Sequence, residues 1–226
     1  MKILALETSG VAGSVAIAEK GEVRAEIAIL PPMRTTQQLA PTIQAILDTA
    51  GWQFGEIELV AVAHGPGSFT GLRIGVTTAK LLAYANACRL AAVDTLAVIA
   101  HQVVPRRRQV WALIDALRDQ LFVARFRWED GEHEPSLRQL QPSSLVDVGP
   151  WIDELADDCL AGPGIERIQQ RLPPGVEIAA QEQWNPRAST VARLAWQAHL
   201  RGEYRDPWTF VPNYLRATYA EESRRP

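Results

Sequence analysis

The chain has 226 residues, 47% of them hydrophobic and 22% charged, with a formal net charge of −3 at pH 7. That length suits one large domain or two small ones, and the composition is typical of a globular protein. The weak negative charge argues against a chain that coats nucleic acid by itself, and no apolar run approaches the roughly 18 residues of a membrane span.

Strands and helices alternate through the first hundred residues. Strands are predicted at residues 2–9, 13–19, 22–30, 57–64 and 89–95, from short apolar or alternating runs. Helices are predicted at residues 35–51, 72–87 and 96–103. The first three strands form a meander, and the alternation that follows predicts an α/β fold.

The second half of the chain repeats the opening pattern. A strand at 109–117 carries Asp115 near its end and is followed by a partner strand, as the strand that ends near Glu7 is followed by its own partner. This weak repeat predicts two similar lobes, residues 1–104 and 105–226, each a mixed sheet with helices, with a cleft between them. Beyond the second hairpin, helices are predicted at residues 143–156, 165–172 and 186–203, and strands at 157–164 and 177–180.

The stretch "GPGSFTGLRIG" at residues 65–75 stands between a strand and a helix, where phosphate-binding loops occur. A Walker A loop requires a lysine and a hydroxyl residue after its last glycine, but Leu72 and Arg73 follow Gly71. The dinucleotide fingerprint has two residues between its second and third glycines, whereas three separate Gly67 from Gly71. Both motifs are therefore excluded, although a helix N-terminus can still attract an anion.

The helix after this loop carries small residues every fourth position, at Gly75, Ala79, Ala83 and Ala87. Four-residue spacing places them on one face, where another backbone could approach closely. Two explanations remain open at this point. The face packs on the protein's own sheet, or it pairs with a helix across a subunit boundary.

Carboxylates suggest one possible chemistry. Glu7 and Asp115, at the ends of the first strands of the two lobes, would face each other across the cleft and could orient magnesium-bound water beside a phosphate chain. Thr8, Ser9 and Ser14 could add hydroxyl and amide contacts. The alternative is that both acids only cap strand ends.

Other catalytic sets are poorly supported. The four histidines, His64, His101, His133 and His199, show no metal-ligand spacing. Ser68 does not stand in a G-x-S-x-G nucleophile elbow. Cys88 and Cys159 match no zinc or redox motif, as expected of a protein in the reducing cytoplasm.

Four segments together carry a family resemblance: "ILALETSGVAGSVAIAE", "GPGSFTGLRIGVTTAKLLA", "ALIDALRDQLFVARF" and "FVPNYLR". The first resembles the opening hairpin of the actin, sugar kinase and heat-shock chaperone superfamily. The set as a whole resembles the TsaB family, the dimerisation subunit of the bacterial machinery that makes threonylcarbamoyladenosine next to the tRNA anticodon. The resemblance implies a two-lobed actin-like (ribonuclease H-like) fold.

The resemblance also implies a non-catalytic scaffold. Such a subunit pairs with the catalytic relative TsaD, is joined by the ATPase TsaE, and meets tRNA only indirectly. It requires no cofactor, although weak binding of ATP or ADP with magnesium in the cleft, at Glu7, Thr8, Ser9 and Asp115, stays open. Pairing through the helix after the glycine loop would make a partner interface of small and apolar residues, namely Leu72, Gly75, Val76, Ala79 and Ala83.

Departures from the family pattern bear on these expectations. Family members usually have Asp where this chain has Glu7, and R-H-S-E where it has Arg34-Thr35-Thr36-Gln37. Three points stay open: whether Arg106 to Arg108 contact tRNA, whether the isolated chain pairs with itself, and whether it is instead an actin-like ATPase or phosphotransferase that uses Glu7 and Asp115.

Overall fold

A computed structural model of the chain describes residues 1–31, 35–103, 109–129, 136–155 and 158–216. The first half contains β1 (Lys2–Glu7), β2 (Gly13–Glu19), β3 (Glu22–Ile29), α1 (Thr35–Ala50), β4 (Leu59–Ala63), α2 (Phe69–Ala85), β5 (Arg89–Val93) and α3 (Thr95–Gln102). The second half contains β6 (Gln109–Asp115), β7 (Gln120–Glu129), β8 (Ser136–Asp147), α4 (Val148–Asp153), β9 (Cys159–Ala161), α5 (Ile165–Ile168), β10 (Glu177–Ile178) and α6 (Ala188–Leu200).

Two five-stranded sheets share one topology. The first has the strand order β3-β2-β1-β4-β5 and the second β8-β7-β6-β9-β10. In both, the three strands from the meander pair antiparallel, and the remaining two join in parallel. The predicted repeat and the α/β class with mixed sheets are therefore confirmed, and Glu7 and Asp115 end equivalent strands.

Helices cover both faces of each sheet. On the first sheet, α1 and α2 bury one apolar face and α6 buries the other. On the second sheet, α3 covers one face, while α4 and α5 lie on the opposite one. The continuous apolar runs of β1 and β2 explain this arrangement, because successive side chains point to opposite faces, so that both faces are apolar and need a cover.

The two halves of the chain exchange a helix. α3, from the first half, packs against β6 and β7 of the second sheet, whereas α6, from the second half, packs against β1 and β2. α3 and α6 also contact each other. The predicted boundary between residues 104 and 105 lies outside the described residues. The lobes contact each other through these helices, and α6 belongs spatially with the first sheet.

One predicted element is wrong. The helix expected over residues 143–156 is a strand as far as Asp147, and α4 covers only Val148–Asp153. β8 is an edge strand with a single hydrogen-bonded neighbour, and most of its side chains are exposed, so it lacks the apolar alternation that would have revealed it. Within the described ranges, no helix has the length and apolar character needed to cross a membrane.

Candidate functional site

The glycine-rich loop lies against the end of β1. Ser68 caps α2, because its Oγ accepts a hydrogen bond from the Gly71 amide at 3.3 Å. The Ser68 amide itself donates to the Ser9 carbonyl at 2.7 Å. Gly67 has a φ of +155°, and a Cβ there would come within 2.6 Å of the Ser9 carbonyl oxygen. The loop amides of Ser68 and Gly71 are thus used inside the chain, and the loop positions a helix.

The small residues of α2 are explained by a close approach to Thr8. The Thr8 hydroxyl donates to the Gly71 carbonyl at 2.8 Å. A Cβ on Gly75 would lie 2.1 Å from Thr8 Oγ1, which is far inside van der Waals contact. Ala79 and Ala83 continue the same face into the core of the first lobe. Ala87 follows the end of α2 and is exposed.

These contacts bear on the predicted partner interface, which stays a prediction. Leu72, Val76, Ala79 and Ala83 are at most 2% exposed, and Gly75 is also buried. A side chain buried within its own chain has no surface to offer a partner. Four-residue spacing of small residues suits helix-on-sheet packing as well as helix pairing, and here it serves the chain's own sheet.

The opposite face of α2 presents aromatic side chains that the prediction did not select. Phe69 packs on Tyr214 with ring centroids 5.0 Å apart, and Tyr84 meets Trp208 edge to face at 4.8 Å. Lys80 Nζ donates to the Phe210 carbonyl at 2.8 Å and so ties the tail to the helix. We call the exposed residues of this surface the aromatic face; its members are Phe69, Leu81, Tyr84, Trp208, Val211 and Tyr214.

Two separate segments of the sequence contain residues of the aromatic face. Tyr84 lies opposite the small stripe on α2, and the tail "PWTFVPNYLR" is rich in aromatic residues. Neither segment forms an apolar surface alone. Only the fold brings residues more than a hundred positions apart into contact.

Glu7 is a fully buried acid at the end of β1. Its side chain is 0% exposed, and its Oε1 accepts from the Ser9 amide at 2.8 Å and from the Ser9 hydroxyl. Its other oxygen has no hydrogen-bond partner among the described residues. Burial raises the pKa of Glu7 from its ordinary 4.5 to about 7, against the opposing effect of the Ser9 hydrogen bonds. The carboxylate has no solvent-exposed surface in this structure, and its role as a cleft ligand stays a prediction.

The remaining residues of the predicted cleft set are also occupied within the chain. Asp115 keeps a 32% exposed side chain, accepts from the Leu117 amide at 2.8 Å and lies 3.9 Å from Arg167. Ser14 Oγ accepts from the Ala188 amide at 2.8 Å, at the start of α6. Across the described ranges, no cluster of three or more histidine, cysteine or acidic side chains could hold a metal ion. Arg106, Arg107 and Arg108 lie outside the described residues.

Asp94 forms a polar contact between the lobes, and this role was not predicted from the sequence. Its Oδ1 caps α3 by accepting from the Ala97 amide at 3.0 Å, and its Oδ2 accepts from the Ser143 hydroxyl of β8 at 2.8 Å. Burial raises the pKa of Asp94, against the opposing effect of the hydrogen bonds from the Ala97 amide and the Ser143 hydroxyl. This carboxylate therefore fixes the second sheet to the end of β5.

Comparison with known proteins gives a consistent set of relatives. A family model described as TsaD, tRNA N6-adenosine threonylcarbamoyltransferase, matches residues 32–157. The tRNA threonylcarbamoyladenosine biosynthesis protein TsaB of Bacillus subtilis is 28% identical over 98% of this chain and 96% of its own length. TsaB of Haemophilus influenzae is 31% identical over 66% of this chain and 72% of its own length.

A solved structure agrees over nearly the whole fold. YeaZ from Pseudomonas aeruginosa is 28% identical, superimposes with a TM-score of 0.81, and covers 95% of this chain and 99% of that chain. Coverage of this extent includes both sheets.

Proposed function

This chain belongs to the TsaB family of tRNA threonylcarbamoyladenosine biosynthesis proteins, and on that premise we propose that it is a non-catalytic subunit that pairs with the transferase TsaD. The TsaD family model matches residues 32–157, which include α1 and α2. A partner built from the same elements could present an equivalent helix to this chain, as paired homologous subunits commonly do. Neither Cys88 nor Cys159 forms a disulfide in the described structure, which suits action in the cytoplasm.

The aromatic face is the single observation that carries this proposal. Its six side chains are between 36 and 72% exposed, although each is large and apolar or aromatic. Exposed apolar residues concentrated on one surface mark interaction sites, and aromatic residues are enriched at the centres of protein interfaces. The surface combines a rigid helix with a tail held by hydrogen bonds to it, so it is formed before any partner arrives.

Replacing the outer face of α2 tests the pairing. Leu81→Arg combined with Tyr84→Arg should weaken co-purification with TsaD at least about thirtyfold, since a central pair of interface residues is worth roughly 2 kcal/mol or more. Leu200→Arg, an exposed leucine on α6, is the matched control and should pair normally. Thermal unfolding must show that both variants are folded. Unchanged capture of TsaD by the double variant would rule out this surface as the interface.

A reconstituted modification assay tests the function itself. We expect threonylcarbamoyladenosine formation on tRNA to depend on this chain when TsaD, TsaE and the other components are present, and TsaE to join only the paired subunits. The Leu81→Arg, Tyr84→Arg variant should fail to support modification. Full modification without this chain would contradict the proposal. Light scattering with and without TsaD should show whether a second copy covers the aromatic face in the isolated protein.

A further inference from the structure

A groove lies on the outer face of the second sheet, opposite the face that α3 covers. Its volume is about 390 Å³, within the range of small-molecule sites of about 300–1,000 Å³. Trp111 of β6 and Arg125 of β7 line it together with Trp151 of α4 and Asp158. α4 has six residues and leaves part of this sheet face open. We call this the tryptophan groove; it shares no residue with the aromatic face.

Two indole rings give the groove flat apolar surfaces. Trp111 and Trp151 meet edge to face, with ring centroids 5.5 Å apart and planes at 89°. Val146 and Leu155 add to the apolar lining. Perpendicular aromatic walls favour a planar ring, which can stack on one indole while its edge meets the face of the other.

Buried N–H groups stand beside these rings. Arg125 pairs with Asp158 at 2.6 Å, and the Asp158 side chain is 3% exposed. The Arg125 Nε–H and the Trp151 Nε1–H have no acceptor among the described residues, although Trp151 is only 6% exposed. Buried donors are nearly always satisfied in folded proteins, so two unpaired donors in one groove call for acceptors from outside the chain.

The charges of the groove restrict what could supply those acceptors. Asp158 and Glu154 are both at the groove, against the single Arg125, whose charge Asp158 already balances. A phosphate or carboxylate would therefore meet a net negative surface. We propose that the tryptophan groove binds a neutral planar heterocycle of the nucleobase class, which stacks on the indoles and accepts hydrogen bonds from Trp151 Nε1–H and Arg125 Nε–H. This site is independent of pairing with TsaD.

Indole N–H resonances of the full chain provide the test. Adenosine and uridine serve as neutral probes, and adenosine monophosphate as the charged one. We expect adenosine to shift the Trp151 indole resonance in a saturable manner, with adenosine monophosphate at least fivefold weaker. The resonance is assigned from its loss in Trp151→Phe. The Trp196 and Trp208 resonances should stay in place, since these residues lie outside the groove.

Two variants separate the donors from general packing. Trp151→Phe removes the N–H and keeps an aromatic ring, so adenosine affinity, measured by calorimetry, should fall at least fivefold; Trp196→Phe is its control and should bind normally. Arg125→Lys keeps the positive charge but removes the Nε–H, so it should also weaken adenosine binding. This variant replaces Trp151→Phe as the test if Trp151→Phe does not fold. The proposal would be overturned if adenosine caused no saturable shift up to about 10 mM, or shifted only the Trp196 or Trp208 resonance. It would also be overturned if a folded variant kept its affinity for adenosine, or if a neutral tripeptide bound more tightly than adenosine.

Discussion

Glu7, at the end of β1, is fully buried, and its burial makes the stability of the folded protein depend on pH. The Glu7 carboxyl has no contact with solvent, and the Ser9 amide and hydroxyl both donate to one of its oxygens. In the unfolded chain the same group has an ordinary pKa of 4.5, against about 7 in the folded protein. The folded state therefore holds the proton more tightly, and the group opposes folding where the unfolded chain is ionised.

The raised pKa of Glu7 predicts that the folded protein loses stability as pH rises. As pH rises from about 4.5 to about 7, the unfolded state releases its proton before the folded state does, so up to about 3 kcal/mol of stability is lost. Glu7→Gln avoids this loss. It should unfold at a higher temperature than the parent chain at pH 8 and within a few degrees of it at pH 4.5. Glu22→Gln, at an exposed position, should show no such pH dependence. A stability gain of equal size at both pH values would contradict the argument.

Gly75 supports a second prediction at the same scale. The methyl group of Gly75→Ala would lie 2.1 Å from the Thr8 hydroxyl, and α2 would have to move away from β1. Despite the better helix propensity of alanine, we expect a loss of about 1–3 kcal/mol, measured by urea unfolding. Gly149→Ala in α4 is the control, because its added Cβ finds nothing closer than 3.9 Å. An unchanged midpoint for Gly75→Ala would mean that the close approach to Thr8 is not required.

α2 shows how one element divides its faces between folding and recognition. The face of Gly75, Ala79 and Ala83 is buried against the first sheet, and the face of Leu81 and Tyr84 is exposed beside the tail. Only about 100° separates neighbouring positions on a helix, so adjacent residues serve different purposes.

This division predicts opposite outcomes for two arginine substitutions on α2. Ala79→Arg would bury a charge in the core of the first lobe and should cost more than about 3 kcal/mol, seen as loss of cooperative thermal unfolding. Leu81→Arg should stay within about 0.5 kcal/mol of the parent chain, because the site is 62% exposed. A folded Ala79→Arg variant that fails only to bind TsaD would support the interface predicted at Ala79.

At the scale of the whole molecule, the exchanged helices make the lobes depend on each other. α6 covers one face of the first sheet, including the side chains of Ile3, Ala61 and Ala91, and α3 covers one face of the second. Asp94 and Ser143 add a hydrogen bond between the lobes. Each sheet thus receives part of its cover from the other half of the chain.

A fragment of residues 1–103 should therefore not fold alone, since it lacks α6. We expect it to show no cooperative thermal transition and to bind a dye specific for exposed apolar surface. Co-expression with residues 105–226 should restore a single transition, because the second fragment supplies α6. A sharp transition for residues 1–103 in isolation would show that the first lobe is an independent domain.

The sequence by itself determined the order of strands and helices apart from β8, the repeated hairpins and the family, because these depend on local periodicity and on long motifs such as "GPGSFTGLRIG". Tertiary structure decided which side of α2 is buried, where α6 packs and that residues Ser136–Asp147 form the strand β8. Spacing identifies a helix face but not its neighbour, since an apolar or small stripe packs equally well on the chain's own sheet or on another subunit. The contact between Thr8 and Gly75 resolves that choice, and it joins residues 67 positions apart in the chain.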